Sequence, residues 1–381
     1  MFETHPLKAL LERWNAELPG SRWFVVGGAV RDALLGRGVH DIDALVAGVP
    51  FKDVIAFLEA RGSVDAVGRT FGVLKFVSND DSVRLDIALP RRERAAGTGG
   101  YRDVETESDF EMPIEEDLGR RDFTINAMAW EAASDRLLDP YDGQKDLASK
   151  TIRAVGDAEK RFGEDYTRIL RGLRFATQLN FEIEWETWKA MRLLAPRVND
   201  ERDGQRLVPY ELVSRELLKA FEADPVRAID LWQEAGLTTM LAPELPEWPE
   251  HTRLALERLT KNDVARIVGG GLLPARVIFG LSIADLGPEK AADLVERLRC
   301  ASAGTGIDAA FVRRLIAGGD VALYKELGLK PFLEGEAVMQ LLGLTPGPDV
   351  GRALDLLLEA QAKGSVTDPA QAGDWLRTHW K

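Results

Sequence analysis

The alternation of apolar and polar residues near the start of the chain predicts a strand, a helix and a second strand. Residues 23–26 form an apolar run long enough for a buried strand, and an amphipathic helix follows Gly27 and Gly28. The second strand begins at Asp41 and contains Asp43. Because side chains alternate along a strand, we expect both aspartates to project from the same face.

Further along, the pattern changes from strands to a long polar segment and then to helices. Residues 83–89 alternate strictly, which predicts a strand with Asp86 on its polar face. Residues 91–119 are polar and show no clear periodicity, so we expect a long functional loop there. From residue 223 onward, leucines recur at helical spacing, with breaks at 243–249, 269–271 and 343–348.

The segment that starts at Phe162 has apolar residues at helical spacing and predicts one continuous helix. Glu164, Asp165 and Arg168 share one face of that helix, because they are separated by three and four residues. Taken alone, this spacing indicates an ordinary intrahelical ion pair.

Composition limits the kind of protein. A chain of 381 residues allows two or three domains, and no apolar run is long enough for a membrane span. Its single cysteine excludes an intrachain disulfide and a cysteine-rich zinc site, and we expect a cytoplasmic protein. The net charge of −13 describes the whole chain, whereas residues 150–219 carry slightly more basic than acidic residues. A nucleic-acid partner therefore remains compatible with the sequence.

The aspartates and the glycine pair predict a metal site beside a phosphate site. Two carboxylates on one face repel each other unless a cation lies between them, and Mg²⁺ prefers such oxygen ligands. Gly27 and Gly28 allow close approach of a phosphate to the backbone, and Arg31 in the following helix can donate to the same anion. The alternative is a strand–helix–strand unit with solvated aspartates and a turn.

Three motifs make the chain resemble a known family. The sequence GGAVRDALLG followed by DID, the sequence RRDFTINAMAW at 120–130 and the sequence EDYTR at 164–168 resemble motifs of tRNA nucleotidyltransferases, which are CCA-adding enzymes, and of bacterial poly(A) polymerases. The resemblance implies an α+β protein with a polymerase-beta-like head, a small mixed sheet with helices, followed by helical neck, body and tail. The implied domains are 1–147 (catalytic head), 148–222 (neck) and 223–381 (body and tail).

The resemblance also implies roles for individual residues. Asp41 and Asp43 would bind the metal, and Asp86, on the strand corresponding to that of the family's third acid, would complete the catalytic set for two-metal chemistry. Asp165 and Arg168 would bind the Watson–Crick edge of the incoming base. The other implied nucleotide-binding residues are Gly27, Gly28 and Arg31 at the phosphate cradle, Arg120 and Arg121 for phosphate, Asp122 for the ribose 2′-hydroxyl, Asn126 for orientation, Glu164 to hold Arg168, and Arg171 and Arg174 on the same helix.

The implied activity is template-independent addition of C and A to the 3′ end of tRNA, from CTP and ATP, with Mg²⁺. The shared motifs leave open an A-adding or CC-adding enzyme and a poly(A) polymerase, and a further alternative is an RNA-binding protein with an inactive transferase fold. The family places the acceptor and T arms of tRNA on the body and tail, and it uses neither a membrane nor a DNA template. The segment 206–222 departs from the family pattern, because Glu211 is followed by Leu212 instead of arginine.

Overall fold

The chain divides into two compact units, Met1–Pro209 and Tyr210–Lys381. The computed structural model describes residues 6–39, 41–67, 72–79, 83–95, 97–101, 103–237, 261, 264, 330–362, 365–366 and 368–380. Within these ranges, no helix combines the length and the apolar character needed to cross a lipid bilayer. The mixed α/β architecture of the first unit and the helices of the second confirm the predicted fold class.

A mixed sheet forms the centre of the first unit. In the described residues it has seven strands in the order β3-β4-β5-β2-β1-β8-β9, and β2 and β5 are parallel neighbours. The strands are β1 (Arg22–Val26), β2 (Ile42–Ala47), β3 (Gly62–Val67), β4 (Val73–Ser78), β5 (Arg84–Ala88), β6 (Arg91–Ala95), β7 (Val104–Ser108), β8 (Ala129–Glu131), β9 (Arg136–Leu138), β10 (Thr151–Ile152), β11 (Glu182–Ile183), β12 (Glu201–Arg202) and β13 (Gln205–Arg206).

Helices follow or cover these strands. They are α1 (Pro6–Glu17), α2 (Gly28–Leu34), α3 (Phe51–Glu59), α4 (Ile114–Gly119), α5 (Gly143–Ala148), α6 (Ala158–Glu164), α7 (Thr167–Leu179), α8 (Trp185–Leu194), α9 (Tyr210–Ala223), α10 (Pro225–Glu234), α11 (Gly335–Leu342), α12 (Pro348–Ala362) and α13 (Pro369–His379).

Strand β1 is buried on both faces, which explains its continuous apolar sequence. On one face, Trp23 packs against Trp14 of α1, with ring centroids 5.0 Å apart. On the other face, Phe24 belongs to a core that includes Leu45 of β2 and Leu118 of α4. Since β1 pairs with β2 and β8, this double burial holds β2, which carries Asp43, in the centre of the unit.

Two predictions about local structure are wrong. Residues 91–119 are not one long loop, because β6 and β7 pair as an antiparallel hairpin and α4 follows them. The hairpin lacks an apolar alternation, so periodicity could not reveal it. The segment from Phe162 is not one helix either: α6 ends at Glu164, Asp165 is extended with φ −156°, and α7 begins at Thr167. In addition, β3 was not anticipated from the sequence.

Helices are the regular secondary structure in the described residues of the second unit. Helices α11, α12 and α13 share a core that includes Val338, Leu357 and Leu376. The predicted break after residue 342 is confirmed, because Gly343 ends α11 with φ 69°. The breaks predicted at 243–249 and 269–271 lie outside the described residues.

Gly48, between β2 and α3, provides a test of how closely the chain packs at the end of β2. Its φ is +86°, and an added Cβ would lie 2.1 Å from the carbonyl oxygen of Gly20. We expect Gly48→Ala to lower the free energy of unfolding by about 2–4 kcal/mol, from left-handed strain plus overpacking. The matched control is Gly36→Ala, with φ +66° and open space around it, which should cost about 1 kcal/mol. Urea unfolding of both variants measures the difference, and equal losses would contradict the packing argument.

Candidate functional site

The parallel pairing of β2 with β5 places two carboxylates side by side. Asp43 is the direct partner of Asp86 in this pairing, and both side chains are exposed. Their neighbours in the two strands, Leu45, Leu85 and Ile87, are buried, so the register is fixed by the core. The position of Asp86 beside Asp43 is therefore set by the buried residues that follow Asp43 in β2 and by the alternating buried residues of β5.

Asp41 also lies near Asp43, but not through the strand alternation that the sequence predicts. Strand β2 begins at Ile42, and Asp41 precedes it with a left-handed φ of 51°. Strand alternation therefore does not position Asp41, although its charge still acts on Asp43. The pKa of Asp43 is raised, chiefly by loss of hydration and then by Asp86 and Asp41, while Arg121 and Arg91 oppose the rise.

Gly27 forms the other wall of this site. Its φ is +70°, and an added Cβ would lie 2.7 Å from Nη1 of Arg121, so only glycine fits without displacement. The Gly27 carbonyl accepts from the amide of Arg31 at 3.1 Å as α2 begins. Gly28 lies close to the guanidinium of Arg31, whose Nη2 would be 3.6 Å from an added Cβ. Two arginines thus flank the glycine pair, one from α2 and one from the turn after α4.

Five arginines around this site share three carboxylates. Asp117, fully buried in α4, accepts from Arg120 through Oδ1 (Nη2 at 2.7 Å) and from Arg121 through Oδ2 (Nη2 at 3.1 Å). Burial would raise the pKa of Asp117, but the charges of Arg121 and Arg120 lower it. Glu93 and Glu164 are the other two acids, and the arginines are Arg91, Arg120, Arg121, Arg161 and Arg168. This network, named here the arginine network, has an excess of two positive charges.

Asp122 and Asn126 lie together below the glycine pair, both almost fully buried. Asp122 accepts from the amide of Phe123 and from Nδ2 of Asn126 through Oδ1, and from Arg171 through Oδ2. Asn126 in turn accepts from Nη1 of Arg31 at 2.8 Å. Burial opposes ionisation of Asp122, but Arg171 and these hydrogen bonds outweigh it and hold its pKa at about 2. Hydrogen bonds therefore connect Arg31, Asn126, Asp122 and Arg171 in an unbroken series.

The residues of the EDYTR segment meet at the break between α6 and α7. Arg168 donates to Glu164 at 2.8 Å and to the backbone carbonyls of Arg161 and Arg120, which leaves it 8% exposed. Asp165 accepts from both the amide and the hydroxyl of Thr167 through a single oxygen, Oδ1. Burial raises the pKa of Asp165 despite those bonds and the nearby charges of Arg168 and Arg171. The predicted ion pair is confirmed, but a bend in the chain, not a shared helical face, brings the residues together.

Three guanidinium groups surround the ring of Phe175 on α7. Arg174 lies closest, with its Cζ 4.1 Å from the ring centroid, and Arg31 and Arg171 lie at 5.2 and 5.4 Å. Arg174 also donates to Gln178. Arg174 thus joins the other predicted residues through Phe175, while its predicted contact with phosphate stays a prediction.

The donor set around Asp43 fits a hard divalent cation. Loss of hydration and then the neighbouring charges of Asp86 and Asp41 raise the pKa of Asp43, and a bound cation would remove the repulsion between these carboxylates. Among the described residues, no three acidic, histidine or cysteine side chains converge into a complete ligand cluster. Mg²⁺ is usually held by one or two carboxylates, with water and substrate phosphates as the remaining ligands. The chemistry of Asp43 and Asp86, with Asp41 nearby, therefore fits a Mg²⁺ ion whose remaining ligands are water and phosphate.

Sequence reasoning missed three residues that organise the site: Asp117, Glu93 and Arg91. Asp117 had a usable signal, because it precedes Arg120 and Arg121 by three and four residues, which is the spacing of helical ion pairs. Glu93 and Arg91 had none, since the hairpin that carries them was itself not predicted. Glu93 also acts across long sequence separations, on Arg120 and Arg168, which a local pattern cannot show.

Comparison with known proteins gives consistent results. Residues 23–153 match the family described as the Poly A polymerase head domain. A CCA-adding enzyme of Streptococcus mutans is 32% identical over 391 residues, which cover 93% of this chain and 92% of that protein. A multifunctional CCA protein of Acidovorax is 39% identical over 240 residues, 60% of this chain. The match spans only 52% of the Acidovorax protein, about half its length.

Solved structures share the fold. The Bacillus stearothermophilus CCA-adding enzyme in complex with CTP gives a TM-score of 0.54 at 24% identity, covering 98% of this chain and 96% of that one. The Thermotoga maritima CCA-adding enzyme complexed with tRNA gives 0.56 at 23% identity, covering 98% and 95%. At these identities, the likeness concerns the fold alone.

The low pKa of Asp122 leads to a test of its ionisation. We expect Asp122→Asn to lower the free energy of unfolding at pH 7 by about 2 kcal/mol, because the variant loses the charge that Arg171 stabilises. Since the folded pKa is depressed, this stability is present above pH 4 and is lost as the pH falls towards 2. Urea unfolding of wild type and variant between pH 7 and pH 3 should show the difference shrinking. Glu59→Gln, an exposed carboxylate on α3, is the control, and a pH-independent difference for Asp122→Asn would contradict the assignment.

Proposed function

The chain belongs to the family of CCA-adding enzymes, and from this premise we propose that it adds C and A nucleotides to the 3′ end of tRNA, using CTP and ATP and no nucleic-acid template. The observation that carries the proposal is the pairing of Asp43 with Asp86 next to Gly27 and Arg121. Nucleotidyl transfer needs a cation site and a triphosphate site within reach of each other, and these four residues provide both.

The nucleotide would lie with its triphosphate against the glycine pair. Gly27 has no side chain to block the approach of a phosphate to the backbone. Arg121 donates to Asp117 through Nε and Nη2, while its Nη1 faces Gly27. The excess positive charge of the arginine network offsets the charge of the triphosphate in a protein whose net charge is −13. Because Asp117 is buried and already paired, the position of Arg121 is set before the nucleotide arrives. Little reorganisation is then needed on binding.

Catalysis would consist of alignment and charge stabilisation. Asp43 and Asp86, with Asp41, would hold Mg²⁺, which when bound stabilises charge on the attacking and leaving oxygens. The protein holds the α-phosphate near these carboxylates so that the RNA 3′ hydroxyl can attack in line. Pyrophosphate leaves towards Arg121 and the rest of the arginine network. Asp122 would bind the ribose 2′-hydroxyl and Asn126 would orient the nucleotide, while their contacts with Arg171 and Arg31 hold both side chains in place.

Base choice would depend on Asp165 and Arg168. A carboxylate accepts from the exocyclic amine of cytosine or adenine, and a guanidinium donates to a ring nitrogen or carbonyl. Uracil and guanine present the wrong pattern to this pair. Arg168 is held by Glu164 and by two backbone carbonyls, so its orientation is fixed. Among the described residues, hydrogen bonds to Asp165 use only Oδ1, so Oδ2 can accept from a base.

The proposal also covers the partners and the location of the protein. Solved relatives were crystallised with CTP and with tRNA, which supports these ligands for this chain. We assign residues 1–147 to a catalytic head, 148–222 to a neck, and 223–381 to a body and tail that bind the acceptor and T arms of tRNA. A cytoplasmic location is part of the same proposal.

A second candidate is a poly(A) polymerase, because the match over residues 23–153 is to a Poly A polymerase head domain. Primer extension separates the two. The substrate is tRNA ending at the discriminator base, with CTP and ATP supplied singly and together. Addition of C, C and then A, with arrest after A, is the expected result. Long A tracts would favour the poly(A) polymerase, and extension only of a pre-made CC end, or arrest after CC, would indicate a partial enzyme.

Replacement of Asp43 tests the cation site. Asp43→Ala should reduce nucleotide incorporation at least about a thousandfold while tRNA affinity stays near that of the wild type, because the carboxylate serves the reaction and not RNA binding. Primer extension and a filter-binding assay measure the two quantities. The control is Asp65→Ala, an exposed acid on β3 of the same sheet, which should retain full activity. Normal incorporation by Asp43→Ala would refute the site, and a wild type that binds tRNA but incorporates neither nucleotide would favour the RNA-binding alternative.

Replacement of Asp165 or Arg168 tests base selection. Either alanine variant should lose about tenfold or more of the preference for CTP and ATP over UTP and GTP, because one partner of the base edge is missing. Single-nucleotide incorporation rates for the four nucleotides give the ratio. Lys160→Ala, an exposed position on α6, should leave the ratio unchanged. If both site variants select bases as the wild type does, the assignment is wrong.

A further inference from the structure

Within the arginine network, Arg91 has a side-chain hydrogen-bond donor without an acceptor. Its Nε is enclosed by protein and, within the described residues, has no hydrogen-bond acceptor. Its Nη2 lies 3.3 Å from Oε1 of Glu93, and the side chain is 25% exposed. Buried guanidinium donors are normally paired, so an unpaired one indicates that an acceptor arrives during function.

The surroundings of Arg91 disfavour its charge more than those of an ordinary ion-paired arginine. Burial lowers its pKa, and so do Arg120 and Arg121, while Glu93 and Asp117 act in the opposite direction. Glu93, its nearest acid, is shared with Arg120 and Arg168. One carboxylate thus serves three guanidinium groups, and an incoming anion would relieve their mutual repulsion.

Arg91 also lies beside the arginine that faces the glycine pair. The backbone amide of Arg91 donates to Oδ1 of Asp117 at 3.2 Å. Oδ2 of the same carboxylate accepts from Arg121 at 3.1 Å, and Nη1 of Arg121 faces Gly27. Arg91 and Arg121 are therefore both anchored at Asp117, next to the glycine pair where the proposed function places the triphosphate.

We propose that Arg91 is a further triphosphate-binding residue, whose guanidinium exchanges part of its contact with Glu93 for the phosphate oxygens of the nucleotide. The inference rests on the proposed function for the presence of a nucleotide at this site. It adds a residue from the β6–β7 hairpin to the phosphate contacts expected from Gly27 and Arg121. The hairpin thereby takes part directly in substrate binding.

The backbone of Arg91 makes its side chain testable. Its amide, not its side chain, donates to Oδ1 of Asp117 at 3.2 Å, so substitution keeps that anchor. The neighbouring Arg92 is more exposed and pairs with Glu116 and Glu107, away from the network. Arg92→Ala is therefore a matched control one position along the same strand.

The test measures ATP and AMP affinity by titration calorimetry with Mg²⁺ and without tRNA. In Arg91→Ala, ATP should bind about tenfold more weakly, the loss of one charge-assisted contact, while AMP affinity stays within about twofold. Arg91→Lys, which keeps the charge but not the fork of donors, should lose about threefold for ATP. Arg92→Ala should match the wild type for both ligands. If Arg91→Ala fails to fold, the lysine variant decides the matter through the same ATP-to-AMP ratio.

The outcomes separate this inference from the proposed function. If the wild type extends tRNA but Arg91→Ala keeps the wild-type ratio of ATP to AMP affinity, or weakens both ligands equally, the inference alone is overturned. If the wild type binds ATP but extends no tRNA, the proposed function fails, and the ratio still decides the role of Arg91. A wild type that binds no ATP overturns both.

Discussion

The parallel pairing of β2 with β5 is the constraint on which the rest of the site depends. It puts Asp43 opposite Asp86, an arrangement of like charges that is unfavourable by itself. Buried apolar residues hold the register, because Leu85 and Ile87 flank Asp86 in β5 and a shift of one residue would move them to the exposed face that carries Asp86. The core thus forces two carboxylates together, and a cation can relieve the repulsion.

The arginine network supplies the opposite charge at the same place. Its centre is Asp117, which is fully buried, so removal of that carboxylate would leave two guanidinium groups without their main partner. The network joins α4, the β6–β7 hairpin and the bend between α6 and α7. Ion pairs therefore connect segments that are distant in sequence. These segments carry the residues that we propose bind phosphate and select the base.

The sequence predicted those features that depend on local pattern. The strand carrying Asp86 followed from strict alternation, and the pairing of Glu164 with Arg168 followed from their spacing. The predictions from sequence were wrong where the backbone departs from the regular pattern. Asp41 lies outside the strand with a left-handed backbone, and Asp165 interrupts the segment that was predicted as one helix. The hairpin had no apolar periodicity, so its glutamate and arginine could be found only in three dimensions.

We propose that Asp43 and Asp86 hold a cation where the triphosphate lies against Gly27. A crystal structure of the protein with CTP and Mn²⁺, in which anomalous scattering locates the metal, tests this directly. We expect an anomalous peak at the two carboxylates, with Arg121 against the triphosphate. A triphosphate bound elsewhere, or a metal that contacts neither Asp43 nor Asp86, would contradict it.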